Sequence, residues 1–467
     1  MNKLLALSLA VMLSFVPVNA EEMMIETAFA SRHQITRTTA TLEKMKTINY
    51  FEDSTTGLTN TQYTPKEINN LIADYGKFEG CKGMPVEEYR AAMEYEWKNA
   101  TVYDKKLVKV KVDLTKAYKY SDIVAMLKKL SRYEGVYLYE IGTTLQGRTM
   151  YALEIDVPSD KEKNTVILTG GVHARETAGP TYLLKEIADL LSANTAESRE
   201  VLATTRFACV PCVNPDGREG VCFDTANYTY KDGQYWKAAS NGVDINRNFP
   251  GLGTSFTLNG NKKNWALSST AEGIYYPGEY CGCNPETQAL MKFLYHYIAI
   301  EQAQILIDYH QQGGISYAGK PWATKAQQAA CKDLSNSMLA VLNKDNSSKY
   351  TWAGEVDGYG LDGTGSTLTD YACAIAYGAK FSPGYGFYVY TDGKDEYPLV
   401  VIPRAEKSKV TLTETTPGFR TMTFEIGEGR KYLGYSQNTR NLIAQEYETR
   451  HFDRVLYEVS KYAKTIK

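Results

Sequence analysis

TVILTGGVHARE, from Thr165 to Glu176, joins a strongly apolar run to a short loop that carries a histidine and a glutamate. The run at Thr165–Thr169 is apolar and rich in β-branched residues, which pack well in a buried strand. In open α/β sheets, ligand-binding residues follow the carboxyl ends of the strands. The stretch therefore predicts a buried strand that delivers His173 and Glu176 to a functional site.

Strands and helices alternate on either side of this stretch. Further apolar runs predict strands at Val136–Ile141, Met150–Ile155, Arg206–Val213 and Gln304–Tyr309. One helix is predicted at Asp122–Leu130, a second begins at Pro180 with its apolar residues on one face, and a last helix covers Asn441–Lys464. Such alternation indicates an α/β fold, with a mixed, largely parallel twisted sheet and helices on both faces.

The N-terminus has the plan of a secretory signal peptide. A basic start at Met1–Lys3 precedes an apolar run at Leu4–Val16, and Val18-Asn19-Ala20 offers small residues for cleavage. We expect a signal peptide over residues 1–20 and a secreted or extracytoplasmic protein. Residues 21–110 are polar and mixed, and we interpret this N-terminal extension as a propeptide or a small accessory region that precedes the main domain at 111–467.

The composition argues against two classes of protein. The formal net charge is -2 over 467 residues, whereas nucleic-acid binders carry clustered basic charge. After the first apolar run, no stretch reaches the roughly 18 apolar residues of a membrane helix. The hydrophobic fraction of 43% allows a sizeable core. We therefore expect a globular monomer without a nucleic-acid partner or a membrane span.

The eight cysteines permit disulfides in an exported chain. Cys222 with Cys281 or Cys283 is the favoured pairing, although the sequence leaves the connectivity open. Cys209 and Cys212 form a CxxC within a predicted strand, and the sequence has no second CxxC to complete a zinc site. This pair is interpreted as structural.

A second apolar strand ends in Ile307-Asp308-Tyr309-His310. With His173 and Glu176, it offers two imidazoles and one carboxylate, which is the ligand set of a hydrolytic zinc site with water in the fourth position. One zinc ion held there polarises a carbonyl and lowers the pKa of its water to about 7. The other histidines lie in ordinary helical or polar contexts and are interpreted as structural: His33, His296 and His451.

Six motifs follow one another in a fixed order: GVHARE at 171–176, VNPDG at 213–217, VDINRNF at 243–249, YPG with PET at 276–287, DYH at 308–310 and TFEI at 423–426. With these motifs the chain resembles the M14 family of zinc metallocarboxypeptidases from about Tyr118 to its C-terminus. The resemblance implies the zinc carboxypeptidase fold, with residues 111–467 as the catalytic domain. It also implies hydrolysis of the C-terminal peptide bond of peptides by a zinc-activated water and a glutamate base.

The resemblance assigns a role to each matching residue. The zinc ligands align with His173, Glu176 and His310. Glu425 aligns with the general base that takes a proton from the water and passes it to the leaving amine. Asn246 and Arg247 align with the pair that holds the terminal carboxylate of the substrate, which suits a guanidinium fork. Arg175 aligns with a residue that contacts the substrate further from the scissile bond.

The chain departs from the family pattern at three places. Lys237 follows Trp236 where the family usually has the arginine that stabilises the oxyanion, and lysine lacks the planar fork. Tyr359 is the candidate for the mobile tyrosine over the substrate. Residues 381–420 form an insertion before the strand with Glu425, and it either restricts substrate entry or is a surface hairpin without a role.

The preferred substrate is left open by the motifs. The pocket for the C-terminal side chain is expected near Thr369, and Asp370 aligns with a structural position, which argues against a preference for basic side chains. One alternative is a peptidase of the same family that cuts beside diaminopimelate in peptidoglycan stem peptides. Another is a non-catalytic peptide-binding relative, which the metal ligands and Glu425 oppose and Lys237 favours.

Overall fold

The structure, a computed structural model, describes residues 97–103, 109–249, 273–278, 282, 284–320, 322–354, 367–378, 414–416 and 418–466, and the backbone of short strands at 50–53, 58–60, 257–258, 261–262, 381–383 and 403–405. The chain divides into two units. One comprises Met1–Tyr95 and Lys380–Val410, and its described parts are two antiparallel strand pairs. The predicted signal peptide lies outside the described residues, as does most of the N-terminal extension and of the 381–420 insertion, so these boundaries stay predictions.

The other unit, Glu96–Ala379 with Thr411–Lys467, contains a nine-stranded sheet. Its strands are β1 Lys98–Asn99, β2 Val136–Thr143, β3 Thr149–Ile155, β4 Asn164–Gly170, β5 Thr205–Val210, β6 Ile305–Gln311, β7 Ile315–Ala318, β8 Thr351–Gly354 and β9 Arg420–Ile426. Their order across the sheet is β8-β7-β9-β6-β4-β5-β3-β2-β1.

The four central strands, β9, β6, β4 and β5, run parallel to one another. Antiparallel pairings join β7 to β9 and link β5, β3, β2 and β1 at the other side. All seven residues of β6 are buried, which requires that both faces of the sheet are covered there. The predicted mixed sheet with a parallel centre is confirmed.

The α-helices of the described residues are α1 Tyr120–Leu130, α2 Ala178–Ala193, α3 Ala196–Thr204, α4 Pro215–Phe223, α5 Pro285–Tyr295, α6 Lys325–Leu342, α7 Leu368–Ala376, α8 Gln437–Thr449 and α9 Val455–Ala463. Their apolar faces join the strands in one core that includes Leu168, Tyr182 and Ile307. None of these helices has both the length and the hydropathy that a membrane crossing requires.

Glycines let helix α2 approach the central strands closely. A Cβ on Gly179 would lie 2.9 Å from the carbonyl oxygen of Tyr309 in β6. Gly171, just after β4, has a φ of +69°, and a Cβ there would lie 2.5 Å from Cγ of Pro180. Since glycine adopts positive φ without steric cost, the chain can turn directly from β4 into the loop with His173 and Glu176.

The single helix predicted at Asn441–Lys464 is wrong. The segment forms α8 and α9, separated by a 3-10 turn at Phe452–Arg454. His451 has a left-handed φ of 56°, which ends the first helix. Phe452 is fully buried against Tyr182, so this break lets an aromatic ring enter the core.

The favoured pairing of Cys222 is also wrong, because Cys222 is a free thiol in this structure. It lies on α4 beside Arg218, and burial raises its pKa to about 12. Cys281 and Cys283 lie outside the described residues. Cys209 and Cys212 are buried free thiols, and burial raises the pKa of Cys212 to about 12, which agrees with a structural role.

Candidate metal centre and active site

His173, Glu176 and His310 meet at the carboxyl ends of β4 and β6. Each offers one ligand atom, and the three atoms lie within 4.8 Å of one another. Nδ1 of His173 is 2.7 Å from Oε1 of Glu176, and Nδ1 of His310 is 2.9 Å from Oε2 of the same carboxylate. The two Nδ1 atoms are 3.1 Å apart. Both imidazoles direct Nδ1 toward one point, and the ligands of a single ion must converge in this way.

The sheet register explains this convergence. Tyr309 of β6 pairs with Gly170 of β4, so His310 extends one residue beyond the last pairing of the two strands. His173 and Glu176 lie in the loop that follows Gly170, and Glu176 is further held by the backbone N–H of Gln311, which donates to Oε2 at 3.0 Å. Two segments far apart in the sequence thus present their side chains at one edge of the sheet.

Two aspartates hold the outer nitrogens of the imidazoles. Nε2 of His310 is 2.7 Å from Oδ2 of Asp308, and Nε2 of His173 is 3.2 Å from Oδ1 of Asp244. Both aspartates are buried. Such carboxylate–histidine pairs orient metal-ligating imidazoles and leave the inner nitrogen free to coordinate. The donor set and its outer partners therefore fit a zinc ion.

Charge balance at the centre depends on Glu176. Burial alone raises the pKa of this carboxyl, but the imidazoles of His173 and His310 outweigh burial and hold the pKa well below its usual range. The carboxylate is therefore ionised, as a metal ligand requires.

Glu425 lies beside the triad on strand β9. In the parallel pairing of β6 and β9, His310 is directly opposite Glu425. The pKa of Glu425 is raised to about 8, chiefly by burial, with His310 opposing the shift and the carboxylate of Glu176 adding to it. The position predicted for a general base thus lies one strand away from a metal ligand.

Lys237 belongs to the same buried cluster. It is 4% exposed, and its ammonium forms an ion pair with Asp244, the aspartate that also contacts His173. Its Nζ lies 4.6 Å from the ring centre of Tyr275. Burial lowers the pKa of Lys237 to about 8, although Asp244 acts against this shift.

Asn246 and Arg247 lie on a 3-10 turn, Ile245–Arg247, that begins at Asp244. The backbone N–H of Asn246 donates to Oδ1 of Asp244 at 3.1 Å, and its side-chain oxygen accepts from the N–H of Leu368 at 2.8 Å. The guanidinium of Arg247 lies 5.5 Å from the ring centre of Tyr275. The predicted carboxylate clamp therefore shares both Asp244 and Tyr275 with Lys237.

Of the two remaining predicted substrate contacts, Arg175 and Tyr359, the structure describes only Arg175. Arg175 is half-buried, and its Nη1 donates to Oε1 of Gln234 at 3.4 Å. Tyr359 lies outside the described residues.

Asp244 and Asp308 were not assigned a role from the sequence. The signal for Asp308 was available, because residues two apart in a strand lie on the same face, and Asp308 is two residues from His310.

Comparisons with known proteins identify the family of the chain. The family model for the zinc carboxypeptidases matches residues 123–401, more than half of the chain. The carboxypeptidase N catalytic chain of Rattus norvegicus is 28% identical over 228 residues, covering 44% of each chain. Carboxypeptidase B of Astacus astacus is 28% identical over 152 residues, covering 30% of this chain and 46% of the relative. The chain thus spans about half the length of these curated relatives.

A solved structure supports the fold. The carboxypeptidase A from Helicoverpa armigera superimposes with a TM-score of 0.51 and 17% identity, covering 77% of each chain. The matched residues 123–401 include His173, Glu176 and His310, whereas Glu425 lies beyond them. By the family model and the fold together, the chain belongs to the M14 family of zinc carboxypeptidases.

Proposed function

We propose that this protein is a secreted zinc metallocarboxypeptidase that removes the C-terminal residue of peptides. The observation that carries the proposal is the position of Asp244. Its carboxylate contacts His173 of the metal triad, pairs with Lys237, and accepts the N–H of Asn246 at the predicted carboxylate clamp. One buried aspartate thus connects the hydrolytic centre to the group that would recognise a free C-terminus.

The side chains of His173, Glu176 and His310 would hold the zinc ion. When bound, the ion supplies a positive charge that polarises the scissile carbonyl and lowers the pKa of a water. Asp308 and Asp244 keep both imidazoles in the orientation that coordination needs.

Arg247 and Asn246 would hold the terminal carboxylate of the substrate. A guanidinium forms two parallel hydrogen bonds to a carboxylate, and the amide of Asn246 adds a further donor. Because only a free C-terminus carries this carboxylate at the scissile residue, the clamp restricts cleavage to the last peptide bond. Arg175 would contact the substrate further along, and Tyr359 remains the candidate to cover the bound residue.

Glu425 would take a proton from the attacking water and give it to the leaving amine. Its place opposite His310 in the register favours this role, since a general base has to reach the water near the metal ligands. Lys237 would supply positive charge to the oxygen of the tetrahedral intermediate. Its pairing with Asp244 fixes the ammonium beside the triad, although a lysine donates without the planar fork of arginine.

The test combines product analysis with one variant and a matched control. Zinc-loaded protein is incubated with a mixed peptide library, peptides amidated at the C-terminus and purified muropeptides, with and without a chelator, and products are identified by mass spectrometry. We expect loss of single C-terminal residues from free peptides only, and no cleavage with chelator. Equal cleavage of amidated and free peptides would refute exopeptidase action, and cleavage of muropeptides alone would support the peptidoglycan alternative.

Glu425→Gln is expected to retain zinc and to lower kcat by at least about 100-fold, the scale of a lost general base. The control is Glu428→Gln, three residues along at an exposed position, which should hydrolyse peptides like the wild type. Wild-type turnover in Glu425→Gln would remove Glu425 from the mechanism.

A further inference from the structure

Lys320 is a buried lysine outside the cluster described above. It follows strand β7, is 2% exposed, and donates from Nζ to Oγ1 of Thr369 at 2.9 Å and to Oγ1 of Thr367 at 3.4 Å. Within the described parts of the chain, no carboxylate forms an ion pair with it. Lysines are almost never fully buried without a charged partner, because removing an ammonium from water costs several kcal/mol.

The location of this ammonium makes its burial more unusual. Thr367 is the N-cap of helix α7, and Thr369 lies in the first turn of that helix. The N-terminus of a helix carries partial positive charge, which repels a cation and attracts an anion. The first turn of α7 also carries the buried carboxylate of Asp370, whose Oδ1 accepts the indole N–H of Trp322 at 2.6 Å. Lys320 and the N-terminus of α7 are two positive features side by side, and both would be stabilised by the same further negative group.

The same turn contacts the proposed carboxylate clamp. Leu368, between the two threonines, donates its N–H to the side-chain oxygen of Asn246 at 2.8 Å. In a bound peptide, the side chain of the last residue branches from the carbon that bears the terminal carboxylate. A carboxylate held at Asn246 and Arg247 would thus place that side chain toward Thr369 and Lys320.

We propose that Lys320 determines specificity and that the enzyme prefers substrates ending in glutamate or aspartate. The inference rests on the proposed function and adds its substrate class. The ammonium of Lys320 would pair with the side-chain carboxylate, and the hydroxyls of Thr367 and Thr369 would position the ammonium and add hydrogen bonds. A site with a buried charge of this kind rejects neutral analogues, because they leave the charge unpaired.

The test measures kcat/KM for blocked dipeptides that differ only in the last residue. Glutamate and its isostere glutamine form the decisive pair, with phenylalanine and arginine as further substrates. We expect the zinc-loaded wild type to favour glutamate over glutamine by about 100-fold, since each supplies the same shape and only one supplies the charge. Lys320→Met should bring this ratio close to one, and Thr369→Val should lower it partially.

The matched control is Lys292→Met, which removes another buried lysine, on helix α5, and should keep the glutamate preference of the wild type. Zinc content and circular dichroism verify that each variant is folded. If Lys320→Met fails to fold, the inference is tested by the ratio of kcat/KM for glutamate over glutamine in the wild type and by its decrease in Thr369→Val. A wild-type ratio near one, or an unchanged ratio in a folded Lys320→Met or Thr369→Val variant, overturns the inference.

The two proposals fail in different ways in this assay. Efficient cleavage of phenylalanine or arginine substrates with poor cleavage of glutamate would disprove the acidic preference and leave the carboxypeptidase function intact. No cleavage of any free C-terminus by zinc-loaded protein would disprove the function itself.

Discussion

Asp308 and His310 lie on the same side of strand β6, because alternate residues of a strand share a face. Oδ2 of Asp308 is 2.7 Å from Nε2 of His310, and its Oδ1 accepts the hydroxyl of Thr169 at 2.7 Å. Both oxygens of this buried carboxylate are therefore occupied. The imidazole is fixed with Nδ1 toward Glu176, so the ligand is oriented before any metal binds.

Asp308→Asn is expected to weaken zinc binding by about 10- to 100-fold, the usual effect of losing such an outer partner. The amide keeps the shape and loses the negative charge that makes the imidazole a strong ligand. Zinc dissociation constants from competition with a chromogenic chelator provide the measurement. Asp189→Asn, at a carboxylate that pairs with Lys185 at the surface of α2, serves as the control. Unchanged zinc affinity in Asp308→Asn would show that His310 needs no such support.

The individual ligands were accessible from the sequence, and the spacing of Asp308 from His310 was too, whereas Asp244 and Lys320 were not. His173, Glu176 and His310 are residue types that follow apolar strands, which is a local pattern. Asp244 lies 71 positions from His173, and Lys320 lies 49 positions from Thr369. Their importance comes from burial and from contacts across the fold, and neither of these is visible in a local pattern.

Helix α5 begins with a carboxyl group in an unusual environment. Asn284 caps the helix, Pro285 is its first residue, and Glu286 follows with no exposed surface. Among the described residues, neither oxygen of the Glu286 side chain has a hydrogen-bond partner. Burial raises the pKa of Glu286 to about 8, and the charge of Asp216 adds to the shift. The folded protein therefore binds a proton here that the unfolded chain releases at a lower pH.

This shift predicts a loss of stability with rising pH. A carboxyl group whose pKa is higher in the folded state stabilises the fold below its unfolded pKa of 4.5, and the contribution disappears as the pH rises to about 8. The loss is at most about 1.4 kcal/mol for each pH unit. Glu286→Gln removes this titration. The unfolding temperature of the variant should therefore rise relative to that of the wild type as the pH increases from 5 to 8.

Thermal unfolding of both proteins across that pH range, in a zinc-saturated buffer, is the measurement. Glu134→Gln, at an exposed position, should follow the wild type at every pH. A constant difference between Glu286→Gln and the wild type would mean that Glu286 is not protonated in the fold.

The five strands predicted from apolar runs agree with the structure within one to three residues at each end. The predicted strand Thr165–Thr169 is Asn164–Gly170 in the structure, and the predicted strand Arg206–Val213 ends earlier, at Val210. Dense β-branched and apolar runs identify buried strands reliably. The break at His451 was missed, because nothing in the local sequence announces a left-handed histidine. The helix breaks at His451 because Phe452 then packs against Tyr182 in the core, a contact distant in the sequence.

The order of the strands in the sheet is a property of the whole molecule. β6 lies between β4 and β9, so that His310 faces the loop with Glu176 on one side and Glu425 on the other. Periodicity identifies strands but does not say which of them are neighbours. The six motifs supplied that information through the family resemblance, and the fold of the main unit agrees with it.

The metal ligands connect segments that lie 137 positions apart, so zinc is expected to stabilise the entire main unit. A ligand that binds only the folded state adds about 4 kcal/mol at a thousand times its dissociation constant. Chelation should therefore lower the unfolding temperature of the wild type by several degrees, and added zinc should restore it. His310→Ala should show no such response, because one ligand is missing. Glu425→Gln keeps all three ligands and should respond like the wild type, which separates metal binding from catalysis. If a chelator leaves the unfolding temperature of the zinc-loaded wild type unchanged, a metal ion that links the segments after β4 and β6 is contradicted.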